Sequence, residues 1–318
     1  MFRLWLDGSI PAKSRAITEG HAELIGPGAP MAQLAECDGA IAGGSQFNGA
    51  FMDQGPRLKV IARLGVGYEN LDVRAATQRG IIACYAPEAP TISTAEHTIA
   101  LMMAVAKHIR QYDEHTRAGT IRSYRPALRG MELHGRTLGL VGAGRIGSRV
   151  ATVARALGMT VVVFDPFLNT QRASEIGVRL APTLEACLSE SDVVSLHAPA
   201  TEETKNLMNS ITFGQMKQGA ILINAARGSL VDESALVDAL TSGHLGGAGL
   251  DVFQVEPPKK EHPLLMLETV VVTPHIASAT EVGILRLWES ALTQALQVLH
   301  GERPPHMLNP EIWPSPSR

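Results

Sequence analysis

A glycine-rich turn between an apolar run and a helical pattern is the feature that most constrains this chain. Residues 137–141 have the character of a buried strand, and Gly142-Ala-Gly-Arg-Ile-Gly147 follows them directly as a G-x-G-x-x-G loop. Residues 148–157 then carry apolar side chains at the spacing of one helical face, and the apolar run 160–164 ends at Asp165. This order predicts a strand, a helix and a second, parallel strand.

Each glycine of the loop has a physical reason to be glycine if the loop holds a pyrophosphate. Gly142 allows a tight turn, Gly144 lets the backbone approach the phosphates, and Gly147 lets helix and strand pack closely. Asp165 could accept both ribose hydroxyls of an adenosine and would repel a 2′-phosphate, so we predict NAD as the cofactor and NADP as the less favoured one. A methyltransferase with a similar glycine loop stays an alternative at this point.

Composition and charge narrow the kind of partner. The chain has 318 residues, 45% of them hydrophobic and 19% charged, which allows two domains with separate cores. The net charge of -3 gives no electrostatic footprint for nucleic acid or for an anionic membrane, so we expect a small-molecule partner.

Cysteine usage and the first residues favour a reducing compartment. Cys37, Cys84 and Cys187 are isolated and odd in number, which predicts neither a disulfide framework nor a metal site. The N-terminal residues lack a secretion-signal pattern, and no apolar run has the length of a membrane span. We therefore expect a cytoplasmic protein.

Alternating apolar and helical stretches predict an α/β domain before the glycine loop. The predicted strands are 2–6, 22–25, 39–42, 59–62 and 81–85, and the predicted helices are 31–35, 48–54 and 73–79. One long helix is predicted over 94–117, capped by Ser93 or Thr94, and a surface loop over 120–135.

The same alternation resumes after Asp165. The predicted strands are 192–196, 220–224, 247–252 and 270–273, and the predicted helices are 232–241 and 281–300. The fold class is therefore α/β with two doubly wound parallel-sheet lobes, a Rossmann NAD-binding domain inserted into a smaller flavodoxin-like substrate domain. We place the substrate domain at 1–93 and 282–318 and the NAD-binding domain at 94–281, with the substrate expected between them and the proline-rich C-terminal segment packed on the first lobe.

Three polar residues follow predicted strands of the nucleotide-binding lobe, where a doubly wound sheet places its ligand contacts. They are Arg227, Glu256 and His275. Hydride transfer to a 2-keto acid needs a fixed cation for the carboxylate and carbonyl, and arginine suits that task. It also needs a proton donor that works near neutral pH, and a carboxylate on the other ring nitrogen of a histidine would fix its tautomer.

The chain resembles the D-isomer-specific 2-hydroxyacid dehydrogenases over nearly its whole length. Seven segments in the expected order carry the resemblance, which is far more specific than the glycine loop alone and argues against a methyltransferase. They are GVGYENLD (65–72), AEHTIALM (95–102), LVGAGRIG (140–147), HAPATEETKNLM (197–208), NAARGSLVDESAL (224–236), GLDVFQVEP (249–257) and TPHIAS (273–278).

The resemblance implies a role for each matching residue. Arg227 would bind and polarise the substrate, His275 would be the general acid and base, and Glu256 would hold His275. Asp251 would contact the nicotinamide carboxamide, and His97 is expected to be structural. The implied cofactor-binding residues are Gly142, Gly144, Arg145, Ile146, Gly147, Asp165, His197, Ala198, Pro199, Thr204, Ala225, Ala226, Arg227, Asp251, His275, Ala277 and Ser278; the implied substrate-binding residues are Leu64, Gly65, Val66, Gly67, Arg227 and His275, with backbone N–H groups of Leu64, Val66 and Gly67 holding the carboxylate.

The identity of the substrate is the least determined feature. Glyoxylate or hydroxypyruvate is favoured, and D-3-phosphoglycerate dehydrogenase activity is an alternative, because Arg63 stands where phosphoglycerate-using relatives carry a phosphate-contacting arginine. Gln46, Leu64, Tyr68 and Trp288 are further candidates for reading the substrate. No extra C-terminal regulatory domain is expected, so a phosphoglycerate enzyme of this kind would be short and unregulated.

Other activities of the family stay open to different degrees. Formate dehydrogenases pair the histidine with a glutamine, so Glu256 disfavours that activity. Phosphite oxidation is compatible with the same three residues, and a non-enzymatic NAD-sensing protein like the corepressors of this fold is a further alternative. The resemblance also implies a homodimer, with the helix predicted at 94–117 and the loop at 120–135 as its contacts.

Overall fold

Two parallel sheets organise the computed structural model of the chain, which describes residues 1–120 and 129–313. The chain divides into two compact units, residues 1–90 with the segment from 279 onwards, and residues 91–278. The first and last parts of the chain thus share one unit, and the second unit is formed by the segment between them. The predicted boundaries, after residues 93 and 281, lie three residues further along the chain at both crossings.

The smaller unit is built on five parallel strands in the spatial order β2-β1-β3-β4-β5. Each strand is one of the apolar runs of the sequence, as predicted. They are β1 (Phe2–Leu6), β2 (Ala22–Ile25), β3 (Gly39–Ala42), β4 (Val60–Arg63) and β5 (Ile82–Cys84). The helices of this unit are α1 (Ala12–Arg15), α2 (Gly49–Met52), α3 (Val73–Gln78) and α12 (Glu281–His300), with short 3-10 helices at Ala16–Thr18, Met31–Glu36 and Pro310–Ile312.

Helix α12 completes the core of the smaller unit from the far end of the chain. Its bounds are those predicted, and Trp288, Leu292 and Ala295 lie on its buried face beside strand residues such as Leu4. Trp288 is only 4% exposed, so it belongs to this core. This buried position does not support the predicted contact of Trp288 with the substrate.

The C-terminal segment packs on the smaller unit, as predicted, through Asn309. The Leu308 N–H donates to the Ala83 carbonyl at 2.8 Å, and Asn309 Oδ1 accepts from the Ala83 N–H at 2.9 Å. Asn309 Nδ2 donates to the Ile81 carbonyl at 2.9 Å and to Thr77 Oγ1 at 3.1 Å. Because Asn309 is fully buried, these bonds satisfy edge groups of β5 that water does not reach.

The larger unit is built on seven parallel strands in the order β12-β11-β10-β9-β6-β7-β8. The strands are β6 (Thr137–Val141), β7 (Thr160–Phe164), β8 (Arg179–Leu180), β9 (Val193–Leu196), β10 (Ala220–Asn224), β11 (Leu245–Leu250) and β12 (Val270–Val272). The helices are α4 (Thr91–Ala106), α5 (Ile109–Arg117), α6 (Arg145–Ala156), α7 (Thr170–Ile176), α8 (Leu184–Glu190), α9 (Ser210–Gly214), α10 (Glu233–Thr241) and α11 (Pro263–Met266), with a 3-10 helix at Gly228–Leu230.

The strand order of this sheet positions the candidate site. The order reverses between β6 and β9, which are neighbours in space although β7 and β8 separate them in sequence. Ligands of doubly wound sheets bind outside the carboxyl ends of the strands at such a switch point. The glycine loop follows β6 directly and therefore stands there.

The prediction of one long helix over 94–117 is wrong in two respects. It begins at Thr91, directly after Pro90, so Ser93 and Thr94 are buried in its first turn and do not cap it. It also ends at Ala106, and α5 starts after His108, whose φ of 52° is left-handed. The break brings Arg110 to the Leu267 and Val270 carbonyls, to which it donates at 3.1 and 2.6 Å. Those partners are distant in sequence, so helical periodicity could not reveal the break.

Smaller differences concern element ends and short helices. The segment predicted as a helix over 31–35 is a 3-10 helix, α6 starts three residues before its predicted start, and β11 lies at 245–250 where 247–252 was predicted. The helices α1, α7, α8, α9 and α11 and strand β8 were not predicted. Of the surface loop predicted over 120–135, residues 121–128 lie outside the described residues. None of the helices in the ranges 1–120 and 129–313 is both long and apolar enough to cross a membrane.

Replacing Asn309 by Ala tests the role of the C-terminal segment. The change leaves the Ala83 N–H and the Ile81 carbonyl buried without their partner, so we expect a loss of about 2–4 kcal/mol in the free energy of unfolding of this unit. Urea unfolding followed by circular dichroism measures it. Glu311→Ala, an exposed change two residues away, is the control, and equal midpoints for both variants would contradict this role.

Candidate active site

Loops at the carboxyl ends of the larger sheet carry most of the residues singled out by the sequence. Because parallel strands all end at the same edge, these loops lie along that edge. Gly142 follows β6, Asp165 follows β7, His197 follows β9, Arg227 follows β10, Asp251 follows β11 and His275 follows β12. The fold thus brings residues from six separate segments of the chain to one edge.

The geometry of the glycine loop fits a bound pyrophosphate. Gly142 has a φ of 95°, and a β-carbon on Gly147 would lie 2.4 Å from the Gly142 carbonyl oxygen, so neither position accepts a side chain. Gly144 differs, because it is exposed and a β-carbon there would meet nothing within 4 Å. Gly144 is also the N-cap of α6 and provides no side-chain cap. The loop therefore presents bare backbone and the positive end of a helix to the space beside Gly144.

Asp165 holds the glycine loop from the next strand. Its Oδ2 accepts from the Ala143 N–H at 2.8 Å, and its Oδ1 accepts from the Phe167 N–H at 2.9 Å. A carboxylate oxygen can accept more than one hydrogen bond, so these contacts are compatible with further ribose hydroxyls. The ribose contact itself stays a prediction.

His197 packs behind the glycine loop. A β-carbon on Gly142 would lie 2.8 Å from the His197 carbonyl oxygen, and the His197 ring lies 2.9 Å from Ser195 Oγ through Nε2. Burial lowers the pKa of His197 to about 4, so the ring is neutral at ordinary pH. The following turn is closed by Thr204, whose Oγ1 accepts from the Thr201 N–H at 2.8 Å and donates to the Pro199 carbonyl at 2.7 Å. These contacts show how the segment 197–204 is shaped; its contact with the cofactor stays a prediction.

The turn after β10 places Arg227. Asn224, the last residue of the strand, accepts from the Ala226 N–H at 3.0 Å through Oδ1 and donates to the Arg227 carbonyl at 2.9 Å through Nδ2. A β-carbon on Gly228 would lie 2.0 Å from the Phe253 carbonyl carbon. The turn that carries Arg227 is therefore in close contact with the chain that follows β11. Sequence reasoning missed Asn224, although a polar residue at the end of an apolar strand is the signal for it.

His275 and Glu256 are directly bonded. His275 Nδ1 lies 2.7 Å from Glu256 Oε2, and Glu256 Oε1 accepts from the Phe253 N–H at 3.0 Å. The His275 side chain is 48% exposed and that of Glu256 35%. Because Nδ1 is occupied by the carboxylate, Nε2 is the ring nitrogen left to exchange a proton with a ligand.

Asp251 fixes the backbone of residues 275–277. Its side chain is fully buried, and its two oxygens accept from the Ile276 and Ala277 N–H groups, both at 2.9 Å. The Asp251 carbonyl accepts from the His275 N–H at 2.7 Å. His275 has a left-handed φ of 54°, which is unfavourable for a residue with a β-carbon, and these bonds stabilise it. The expected contact of Asp251 with the nicotinamide stays a prediction.

A second polar layer lies behind Asp251. Thr273 Oγ1 donates to Asp251 Oδ1 at 2.6 Å, and His97 Nε2 lies 2.9 Å from the same Thr273 oxygen. Since the Thr273 hydroxyl hydrogen is directed at Asp251, His97 is the donor in the second bond. Thr273 was not singled out from the sequence, and its position two residues before His275 is the only signal for it.

The turn at 64–67 belongs to the smaller unit and corrects one expectation. The Leu64 N–H donates to the Ala42 carbonyl at 2.9 Å, because the pairing of β3 with β4 continues one residue beyond β4. Leu64 is therefore not a backbone donor for a substrate carboxylate. Gly65 N–H donates to the Arg63 carbonyl at 3.0 Å, and the N–H groups of Val66 and Gly67 stay the predicted donors.

Arg63 holds this same turn. Its Nε donates to Asn70 Oδ1 at 3.1 Å, and one terminal nitrogen donates to the Leu64 carbonyl at 2.7 Å and the Ala42 carbonyl at 3.3 Å. The guanidinium is thus bonded to protein acceptors on two of its nitrogens.

Across the described ranges, no three His, Cys, Asp or Glu side chains come together as metal ligands.

Comparisons with known proteins bear on the family and the fold. The family model for the NAD-binding domain of D-isomer specific 2-hydroxyacid dehydrogenases matches residues 99–277. A D-3-phosphoglycerate dehydrogenase of Archaeoglobus fulgidus is 48% identical over 223 residues, which cover 70% of this chain and 42% of that protein. A glyoxylate reductase of Korarchaeum cryptofilum is 42% identical over 259 residues, which cover 81% of this chain and 78% of that protein. The crystal structure of the TT0316 protein from Thermus thermophilus matches with a TM-score of 0.88 at 40% identity, covering 96% of this chain and 99% of that one.

These matches confirm the predicted fold class and NAD as the cofactor. The aligned region is less than half of the Archaeoglobus protein, so the activity named for that protein does not carry over as a finding.

Gly144 and Gly147 provide a matched pair of variants for the cofactor site. Gly144→Ala adds a methyl group where the structure is open, so we expect unchanged thermal stability and an NADH dissociation constant raised about tenfold or more, because the added group occupies the space of the pyrophosphate. Gly147→Ala should lower the melting temperature, because its β-carbon would overlap the Gly142 carbonyl. NADH fluorescence titration and thermal melts measure both. Normal NADH affinity in Gly144→Ala would place the pyrophosphate elsewhere.

Proposed function

Because the chain belongs to the D-isomer-specific 2-hydroxyacid dehydrogenases, a family of NAD-dependent enzymes, we propose that it interconverts a 2-keto acid and a D-2-hydroxy acid. The observation that supports this reaction best is the 2.7 Å bond between His275 Nδ1 and Glu256 Oε2. It lies at the sheet edge that also carries the glycine loop and Arg227.

His275 is the proposed acid and base. Glu256 fixes the Nδ1–H tautomer, while the Phe253 N–H fixes Glu256. During reduction, the Nε2–H of the imidazolium gives its proton to the carbonyl oxygen of the keto acid. During oxidation, neutral Nε2 accepts the hydroxyl proton of the hydroxy acid.

Arg227 is the proposed site for the carboxylate and the reacting oxygen. A guanidinium is a planar fork of hydrogen-bond donors that can bond to two oxygens at once. NAD, when bound, supplies or accepts the hydride. The backbone beside Gly144 would hold its pyrophosphate and Asp165 its ribose, which agrees with the open space at Gly144 and with the carboxylate at the end of β7.

Glyoxylate or hydroxypyruvate is the proposed substrate. The bonds of Arg63 to Asn70, Ala42 and Leu64 support this choice, because a guanidinium that holds its own turn is a poor reader of a substrate phosphate. The similarity to a glyoxylate reductase agrees with it. D-3-phosphoglycerate is the second candidate, because several similar proteins, at 39–48% identity, are named D-3-phosphoglycerate dehydrogenase.

A homodimer is proposed on the strength of the family resemblance. The expected contacts are the helices α4 and α5 and the segment up to residue 135, of which residues 121–128 lie outside the described part of the chain. Size-exclusion chromatography with light scattering tests this, and a monomer at micromolar concentration would contradict it.

His275→Ala tests the reaction. We expect the turnover number to fall by about 10²- to 10⁴-fold, because the proton donor is removed, while the NADH dissociation constant changes by less than about twofold. His300→Ala, which removes an exposed histidine of the smaller unit, is the control. Near-normal turnover in His275→Ala would remove His275 from the mechanism.

A substrate panel separates the two candidates. Oxidation of NADH is followed with glyoxylate, hydroxypyruvate, phosphohydroxypyruvate and pyruvate, with NADPH in parallel. Reduction of NAD is followed with phosphite. We expect the highest kcat/KM for glyoxylate or hydroxypyruvate, because Arg63 is bonded within its own turn. A clear preference for phosphohydroxypyruvate would favour the phosphoglycerate activity. No turnover of any keto acid, in a protein that binds NADH, would favour phosphite oxidation or an NAD-sensing protein.

A further inference from the structure

One carboxylate ties both ends of the loop that carries Glu256. Glu233 is the first residue of α10 and follows its N-cap, Asp232. Its Oε1 accepts from the Gln254 N–H at 2.8 Å, and its Oε2 lies 3.1 Å from His262 Nε2. Residues 254 and 262 are the two ends of the loop, and Glu256 lies between them.

The His262 ring is oriented so that it donates to Glu233. Its Nδ1 accepts from the Leu264 N–H at 3.3 Å, as the N-cap of α11. A neutral imidazole that accepts on Nδ1 carries its hydrogen on Nε2. Glu233 thus receives two donors, one on each oxygen, and only a carboxylate accepts on both.

Close packing does little to hold residues 254–261, which are mostly exposed. This part of the loop lines an open cavity of about 320 Å³, whose lining includes Glu233, Gln254, Pro258 and His262. Val255, beside Glu256 in the sequence, is 71% exposed. A mostly exposed segment that lines an open cavity depends on its polar contacts for its position.

Glu233 is connected to His275 through a short series of bonds. Gln254 is the neighbour of Phe253, whose N–H donates to Glu256 Oε1, and Glu256 Oε2 bonds to His275. Gln254 Nε2 also donates to the Val231 carbonyl at 2.6 Å, which ties the same end of the loop to the segment before α10. A shift of the loop would therefore move the carboxylate that fixes His275.

We propose that Glu233 is a positioning residue for the Glu256–His275 pair, a proposal that rests on the proposed function. Its carboxylate holds the Glu256 loop at both ends and so sets the geometry of the pair without touching the substrate or the cofactor. The sequence signal for it is the VDES segment (231–234) shortly after Arg227.

A double-mutant cycle tests the proposal in the full-length protein. Glu233→Ala and Glu233→Gln are made both in the natural sequence and in a Glu256→Gln background, with Glu261→Ala, an exposed glutamate of the same loop, as the matched control. In the natural background we expect Glu233→Ala to lower kcat about 10- to 100-fold, with Glu233→Gln between it and the natural protein. In the Glu256→Gln background the same changes should cost less than about twofold, because the pair is already broken.

Two results of the cycle would overturn the proposal. Equal fold-losses in both backgrounds would show that Glu233 supports the fold in general and not the pair. Unchanged kcat in Glu233→Ala would show that the loop keeps its place without this carboxylate. The NADH dissociation constant is measured for every variant and should stay within about twofold of the natural value, because the glycine loop is untouched.

Nuclear magnetic resonance tests the Glu256–His275 pair independently of turnover. Correlation spectra of ¹⁵N-labelled protein report the tautomer of each neutral histidine ring, and His275 is assigned by the signals lost in His275→Ala. We expect the Nδ1–H tautomer in the natural protein and a mixture of tautomers in Glu233→Ala. An unchanged tautomer would overturn the proposal whatever the activity shows. If Glu256→Gln and His275→Ala leave turnover intact while the tautomer responds to Glu233→Ala, the proposed function fails and the positioning role stands.

Discussion

Carboxylates that accept backbone N–H groups hold the functional loops of the larger unit. Asp165 fixes the glycine loop through Ala143, Asp251 fixes the residues after His275, and Glu256 and Glu233 fix the chain after β11. Parallel strands bring the loops to one edge, but a strand end sets only where a loop begins. The side-chain bonds determine where the loop goes next, and thereby where a nitrogen or an oxygen points.

This arrangement gives carboxylates two different tasks within one site. Asp251 is fully buried and bonded on both oxygens, so it orders backbone. Glu256 is partly exposed and shares its oxygens between a backbone N–H and an imidazole, which suits the positioning role proposed for it. The proposed chemistry thus uses the exposed carboxylate directly, while the buried one orders the backbone next to His275.

Sequence reasoning succeeded where a local pattern decides the structure. The described strands other than β8 were found because each is an apolar run, and the contact between Glu256 and His275 was anticipated because both residues follow strands of one parallel sheet. It failed where a distant partner decides. The break before α5 accompanies bonds of Arg110 to the carbonyls of residues 267 and 270, and Leu64 is lost as a donor because it pairs with β3. The ties made by Glu233 depend on residues more than twenty positions away, which no motif spacing reveals.

The smaller unit consists of two separate parts of the chain, and this affects the order in which the two units can fold during synthesis on the ribosome. The larger unit is complete once residue 278 has been made, and its sheet needs nothing that follows. The smaller unit is completed later, because its core requires α12 and the edge of β5 requires Asn309. During translation the NAD-binding unit can therefore fold while β1–β5 still lack the helix that covers their apolar face.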